Sequence, residues 1–460
     1  MIRFKFLGFL LFTSFLCFGQ EIVISGSAAG FEGKEIRIFT QNDPLSQKVS
    51  VGDLTTIDQT GNFRLSLKKD EIVEAWIAIN RYTAPIYLEP GKVYNLGISS
   101  GDQTIMVNTW QQGELQYVFN NLDSTDVNVL IAQFDAAYFD FFSENASLIG
   151  SRQIRDKILE FEQTWTDLLL ASNSFIDTYV KYTLAQMKLS SGYSKKVLFD
   201  TYVKDKPWHL NNPVWFGFLD LFFAEYFNAF DNRFGGAAMH NRLSMGLTPD
   251  SLNKLFLTDD FLSDDDLRHL IVVKSAAESL YNNKYTNKPL SDLLHWITAN
   301  ANDEISQIAQ SVLDNYQRRT KDFHIDALGL QFEKDSVLPW SGSDTLQTYL
   351  ITTASWSSES KKEIELLKNL KEKYPDTFQV IQVELDDQNI ESPFWQTTPV
   401  HPYDYLDQLG IYNIPHAVWI DKNGLVTRSV QTPKPSEGLE SELFRIQSRI
   451  SERNKIRIGQ

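Results

Sequence analysis

The 460-residue sequence reads as a multidomain α+β protein, with an N-terminal antiparallel β-sandwich, a central all-α region and a C-terminal α/β unit. Three observations predict this order. Apolar residues alternate with a period of two up to about residue 110, and the period becomes helical from there to about residue 320. After that, strand-like and helix-like stretches follow one another as in a β-α-β unit. Length agrees, because single hydrophobic cores stop growing at roughly 250–300 residues. The expected boundaries are an export segment at 1–19, a β-sandwich at 20–110, a helical region at 111–322 and the α/β unit at 323–460.

The first nineteen residues read as an address. Arg3 and Lys5 precede an apolar run from Phe6 to Phe18, and Cys17-Phe18-Gly19 offers small residues for cleavage before Gln20. The run falls short of the ~20 residues that span a bilayer, so no stable membrane span is expected after cleavage. A lipoprotein reading of Cys17 fails because Leu16 stands where a small residue is needed. The expected location is periplasmic or otherwise exported. Cys17 is the only cysteine, so the processed chain would hold no thiol for disulfide exchange or a thiolate metal site.

Between Glu21 and Ile105, alternation runs through Ile22-Val23-Ile24, Ile36-Arg37-Ile38, Phe63-Arg64-Leu65-Ser66-Leu67 and Trp76-Ile77-Ala78-Ile79. Turn signals at Gly33, Asp58 to Asn62 and Pro90-Gly91 separate these runs, as a sandwich of short strands requires.

From Gln112 to Arg319 one helical face gathers Leu130, Phe134, Ala137, Tyr138 and Phe141. A second gathers Ile158, Phe161, Trp165, Leu168 and Leu169, and a third Leu219, Phe222, Phe223, Tyr226, Phe227 and Phe230. Such stripes are the signature of burial, with a ligand groove as the alternative. Ser263 to Asp266 reads as a helix start with first-turn acids and lacks the glycine and distal glutamate of a calcium loop. His209, His240, His269 and His295 stand singly, without the i, i+4 pairing of a helix-borne metal site. The sequence has no G-x-G-x-x-G, Walker A or G-x-S-x-G pattern, so no catalytic residue, metal or cofactor is assigned.

Composition narrows the function classes. Apolar residues make up 42% and aromatics 13%, a globular balance. A net charge of −16 with a pI near 5.0 argues against a nucleic-acid partner, which needs a basic surface to displace phosphate counterions.

In the last third, an edge strand or hairpin is expected across Leu328 to Val337, and a buried strand across Leu346 to Ile351. A helix with Ile364, Leu367 and Leu370 inward and a parallel strand at Phe378 to Leu385 follow. After an insertion with a short helix come an antiparallel pair at Ile414 to Ile420 and Leu425 to Val430, and a closing helix from Ser436 to Ile450. The buried strand leads into Ala354-Ser355-Trp356-Ser357-Ser358-Glu359-Ser360-Lys361-Lys362-Glu363, and Ile411-Tyr412-Asn413-Ile414-Pro415 precedes Ala417-Val418-Trp419-Ile420-Asp421-Lys422-Asn423-Gly424. This combination resembles the thioredoxin-like module of TlpA/ResA-type periplasmic thiol-disulfide oxidoreductases. Asp58 to Phe63 and Leu88 to Gly91 resemble the β-rich domain that often precedes such modules, and a helical insert between the two is common among them.

The resemblance implies a W-C-x-x-C loop and a cis proline packed against it. Here Ser357 and Ser360 stand in the two cysteine positions, so the loop Trp356, Ser357, Ser358, Glu359, Ser360 is a degenerate active site without redox chemistry. Ser360 and Glu363 have capping-box spacing, and His416 is the one sequence candidate for a base should Ser357 act as a nucleophile. In working relatives the backbone before the cis proline pairs with an extended substrate segment. The implied remnant is a peptide-binding edge at Tyr412, Ile414, Pro415 and His416, with Pro415 serving the fold alone as the equal alternative. The expected function is a redox-inactive, exported thioredoxin-like protein whose partner is an envelope protein or peptide. The alternative is an envelope enzyme of hydrolytic chemistry using a pocket in the helical region.

Overall fold

Alternating burial along the early strands is what closes them into layers. In β1 (Gln20–Ala29), Ile22, Val23 and Ile24 are all buried, while in β4 (Asn62–Lys69) Phe63, Leu65 and Leu67 are buried and Arg64 and Ser66 between them are not. The computed structural model describes residues 20–46, 48–79, 82–99, 115–169, 174–234, 248–281, 287–320, 322–325, 330–332, 347–355, 357–385, 390–400, 402–411, 414–427 and 432–458. The export segment, His240, Trp356, Tyr412 and most of the 328–337 strand lie outside the described residues.

The other N-terminal strands are β2 (Glu35–Gln41), β3 (Val49–Thr56), β5 (Val73–Ile79), β6 (Tyr82–Leu88), β7 (Val93–Ser99) and β8 (Tyr117–Phe119). They make two sheets, ordered β4-β1-β7-β8 and β3-β2-β5-β6. Ile22, Leu65 and Leu96 of the first sheet share one core with Ile36, Ile77 and Ile86 of the second. The antiparallel expectation needs correction, because β1 pairs antiparallel with β4 but parallel with β7. A period of two is the same in either orientation, so the pattern could not tell them apart. At this pair Gly26 is required: a Cβ there would lie 1.9 Å from the carbonyl oxygen of Leu96. The sheet also continues past the expected end near residue 110, because β8, too short to show a period, pairs with β7.

The helices that follow are α1 (Val127–Glu144), α2 (Ile154–Leu169), α3 (Ser174–Ser190), α4 (Lys195–Tyr202), α5 (Pro213–Phe222), α6 (Tyr226–Phe234), α7 (Pro249–Phe256), α8 (Asp265–Tyr281), α9 (Asn287–Asn300) and α10 (Asp303–Thr320). Their starts follow local chemistry. Asn212 caps α5 by accepting from the N–H groups of Val214 and Trp215, with Pro213 in the first turn. Asp264 accepts the Leu267 N–H at 2.8 Å, so the run of acids does start α8. Phe222, Phe223, Tyr226, Phe227 and Phe230 are buried with Phe256, which stacks on Phe227 at 5.6 Å. That stripe is core.

The last region adds β9 (Phe323–His324), β10 (Gln347–Thr353), α11 (Ser358–Lys373), β11 (Phe378–Glu384), β12 (Trp395–Thr397), α12 (Pro402–Leu409), β13 (His416–Ile420), β14 (Leu425–Thr427) and α13 (Leu439–Ile458). The sheet order is β12-β11-β10-β13-β14-β9, with β10 parallel to β11 and antiparallel to β13. Each face of the sheet has its own core. Tyr349 and Ile351 meet Ile364 and Leu367 of α11 and Leu443 of α13, while Leu350 meets Tyr405 and Leu409 of α12.

The three regions meet on the outer face of the β2-β5-β6 layer. Asn128 of α1 exchanges hydrogen bonds with the Tyr87 backbone (2.9 and 2.8 Å), and Asn315 of α10 donates to the Ser46 carbonyl. Arg37 of β2, only 2% exposed, bridges Glu35 and Asp404 of α12, the latter at 3.3 Å.

Candidate functional site

The central strand and its neighbours decide where any site in the last region can be. The register pair Thr352↔His416 sets the start of β13 beside the end of β10, and Ala354 and Ser355 then carry the chain into α11. The helix start and the residues around Pro415 therefore lie at the same end of the sheet, outside the carboxyl end of a parallel strand, where open α/β sheets place their sites. The Ile414–Pro415 peptide is cis.

Each hydroxyl at the two positions of interest is engaged by the loop's own backbone. Ser357 is the N-cap of α11, and its Oγ accepts the Ser360 N–H at 3.1 Å. Ser360 is fully buried and its Oγ accepts the Ala354 N–H at 3.3 Å. Ser358 is exposed, and Glu359 is half-buried in an ion pair with Lys434 at 3.1 Å. Pro415 is buried and Ile414 packs into the core with Tyr405 and Ile411, leaving His416 half-exposed at the strand start. Among the described residues no hydrogen bond joins the Ser357 hydroxyl to His416. Trp356 and Tyr412 lie outside the described residues.

The capping-box expectation for Ser360 and Glu363 is corrected. The cap is Ser357, and the fully buried Glu363 turns away to accept the N–H of Ser436 at 2.9 Å and its hydroxyl. On the other side of the loop, buried Glu384 accepts the Thr353 hydroxyl at 2.9 Å, the Gln382 amide and the Ile390 N–H at 3.4 Å. Sequence reasoning missed both as site features. Glu363 had a signal, since it shares the inward helical face of Ser360, Ile364 and Leu367. Glu384 had a weaker one, as the last residue of a strand too apolar to carry a free charge.

The sheet order, the β-α-β crossover through α11 and the following β-hairpin with its closing helix decide the fold of this part. The C-terminal region is thioredoxin-like. No protein-family model and no curated protein matches the chain. Among solved structures it is similar to a thioredoxin-like protein from Bacteroides caccae, at 11% identity over 44% of this chain and 86% of that one, with a TM-score of 0.29. It is also similar to the thioredoxin domain of a thiol-disulfide oxidoreductase from Bacteroides vulgatus, at 14% identity over 27% and 93% of the two chains, with a TM-score of 0.22.

Among the described residues no group of three or more His, Cys, Asp or Glu side chains is arranged to hold a metal ion, and no helix is long and apolar enough to cross a membrane. His269 is buried against Trp296 with neither ring nitrogen hydrogen-bonded, and burial lowers its pKa from the ordinary 6.5. His295 is exposed, and His209 is half-buried against Trp215.

A cavity of about 480 Å³ lies between the β layers and the helices. Its β side is made by Gln41 to Pro44, the turn from Lys69 to Val73, and Glu74 and Trp76 of β5. Leu210, Asn211, Pro213 and one face of α10 from Glu304 to Ser311 make the helical side. Burial raises the Glu74 carboxyl from 4.5 to about 7, and the Tyr87 hydroxyl, 3.5 Å away, partly offsets that rise.

Proposed function

We propose that this chain is an exported, TlpA/ResA-like protein that has lost thiol chemistry and binds an extended peptide segment of an envelope protein. The proposed boundaries are 1–19 for export, 20 to about 120 for the β layers including β8, from there to 322 for the helices, and 323–460 for the thioredoxin-like part. The observation carrying the reading is the internal use of both serine hydroxyls: Ser357 and Ser360 each accept a backbone N–H of the loop they belong to. The helix start thus keeps its geometry while offering no nucleophile, and a serine cannot form a mixed disulfide.

A backbone edge remains at residues 414–416, beside the loop by virtue of the Thr352↔His416 register. Such an edge gives affinity through main-chain hydrogen bonds without any reactive group. The processed chain, tested against an array of extended peptides, should bind a subset, and replacing His416 by Pro should abolish that binding. Catalysis of insulin reduction above background by the same protein would overturn the reading, as would binding unaffected at His416. Mass spectrometry of the exported form should show a start at or beside Gln20, and a form starting at Met1 would remove the export element.

A further inference from the structure

The cavity between the β layers and the helices combines three features that belong together in a ligand site. First, its size falls in the range of small-molecule sites, ~300–1,000 Å³. Second, Trp76 lines it, half-buried and held flat by stacking on Phe39 at 5.8 Å and 15°, so an indole forms part of its β wall. Third, its charge is one-sided and unbalanced. Asp43 and Glu71 are engaged, Asp43 by the Leu45 and Ser46 N–H groups and Glu71 by the Asn211 amide. Asp70, Glu74 and Glu304 pair with no cation among the described residues, and Lys69, the one lining ammonium, turns to the Thr40 hydroxyl at 3.4 Å.

Glu74 is the informative member. It shares the outer face of β5 with Trp76, two residues along the strand. Its one hydrogen bond comes from the Tyr87 hydroxyl of β6, and the groups beyond it are Tyr179 of α3 and Asp135 of α1, which bond each other at 3.1 Å. Nothing in that set is positive. A desolvated carboxylate without a counter-ion beside an aromatic face is complementary to an ammonium group on a short apolar stem. Ile72, Val73 and Ile308 supply apolar surface for such a stem. Metal coordination fits less well, since no three ligating side chains converge among the described residues.

We propose that this cavity binds an alkylammonium group, with Glu74 as its counter-ion and Trp76 as its cation–π partner. The site is separate from the serine loop and does not depend on the function proposed there. The same chemistry could come from a free diamine or from a lysyl side chain, so the processed chain is titrated calorimetrically at pH 8 with putrescine and with Nα-acetyl-lysine amide. Saturable binding of either probe is expected, and which one binds identifies the source. Glu74→Gln should weaken it by ~10-fold or more, because the variant leaves the ammonium without its charge partner. Trp76→Leu should weaken it by ~3-fold or more. Succinate, which reverses the charge, should not bind. Absence of binding by both amines overturns the proposal. So does binding that Glu74→Gln leaves unchanged, or succinate binding as well as putrescine.

Discussion

The serine loop and the cavity treat their polar groups in opposite ways. At the loop both serine hydroxyls and the two nearest carboxylates are used inside the fold: Ser357 and Ser360 by backbone N–H groups, Glu363 by Ser436, Glu359 by Lys434. At the cavity no cation among the described residues pairs with Asp70, Glu74 or Glu304, and of the three Glu74 alone is withdrawn from solvent. Full satisfaction makes a stable, chemically quiet scaffold, whereas an unpaired, desolvated charge stores free energy that a ligand can release.

The largest effect should come from returning thiols to the loop. Ser357→Cys with Ser360→Cys should give an intramolecular disulfide in a glutathione buffer, read by mass after alkylation, because the i, i+3 spacing at a helix start suits its geometry. The thiol at 357 should titrate below its reference of ~8.5, since the helix N-terminus stabilises a thiolate. Glu359 opposes this less than its charge suggests, as Lys434 already pairs with it. A double variant that stays reduced would show that the loop is not held as described.

Next comes Glu363→Ala, which removes a fully buried carboxylate together with the N–H and hydroxyl hydrogen bonds it accepts from the exposed Ser436. Urea denaturation should show a loss of ~2–4 kcal/mol. A change within error would mean that Glu363 is not the link between α11 and the turn before α13.

The cavity should respond with the opposite sign. Glu74 has its folded value raised from 4.5 to about 7. Below 4.5 both states hold the proton and the group is neutral in stability. As pH rises from there the unfolded chain ionises first, so stability is lost up to about 7 and the full penalty persists above it. Glu74→Gln should therefore be more stable than the parent at pH 8, by up to about 3 kcal/mol, with the gain fading to zero near pH 4. A variant less stable at pH 8 would mean that Glu74 already has a counter-ion. The smallest effect is that of Ser357→Ala, a lost N-cap costing ~1 kcal/mol with no change at the cavity.

What could be read from the sequence divides along the same line. The aromatic stripe from Leu219 to Phe230 and the inward face at Ile364, Leu367 and Leu370 were legible because burial imposes a period. So was the placement of Ser357 at a helix start. The parallel pairing of β1 with β7 was not, since strand direction leaves no mark on alternation. Nor was Glu74, whose setting in β5 looks like any outward charge. Its burial comes from helices more than a hundred residues away, with Tyr179 on α3 and Leu210 and Pro213 on the far wall. The Glu363 to Ser436 contact spans 73 residues, and no local pattern encodes it.

The bridge at Arg37 bears on how the two ends of the chain are oriented. A guanidinium is a planar fork with fixed directions, and this one holds Glu35 on its own strand and Asp404 on α12 at once. It works as a protractor: the thioredoxin-like part can turn about the β layer only as far as both carboxylates stay within reach of one rigid plane. A lysine there would reach either acid as a point charge but would set no angle. Arg37→Lys should therefore leave both regions folded while widening the spread of orientations between them, a change that small-angle scattering would register.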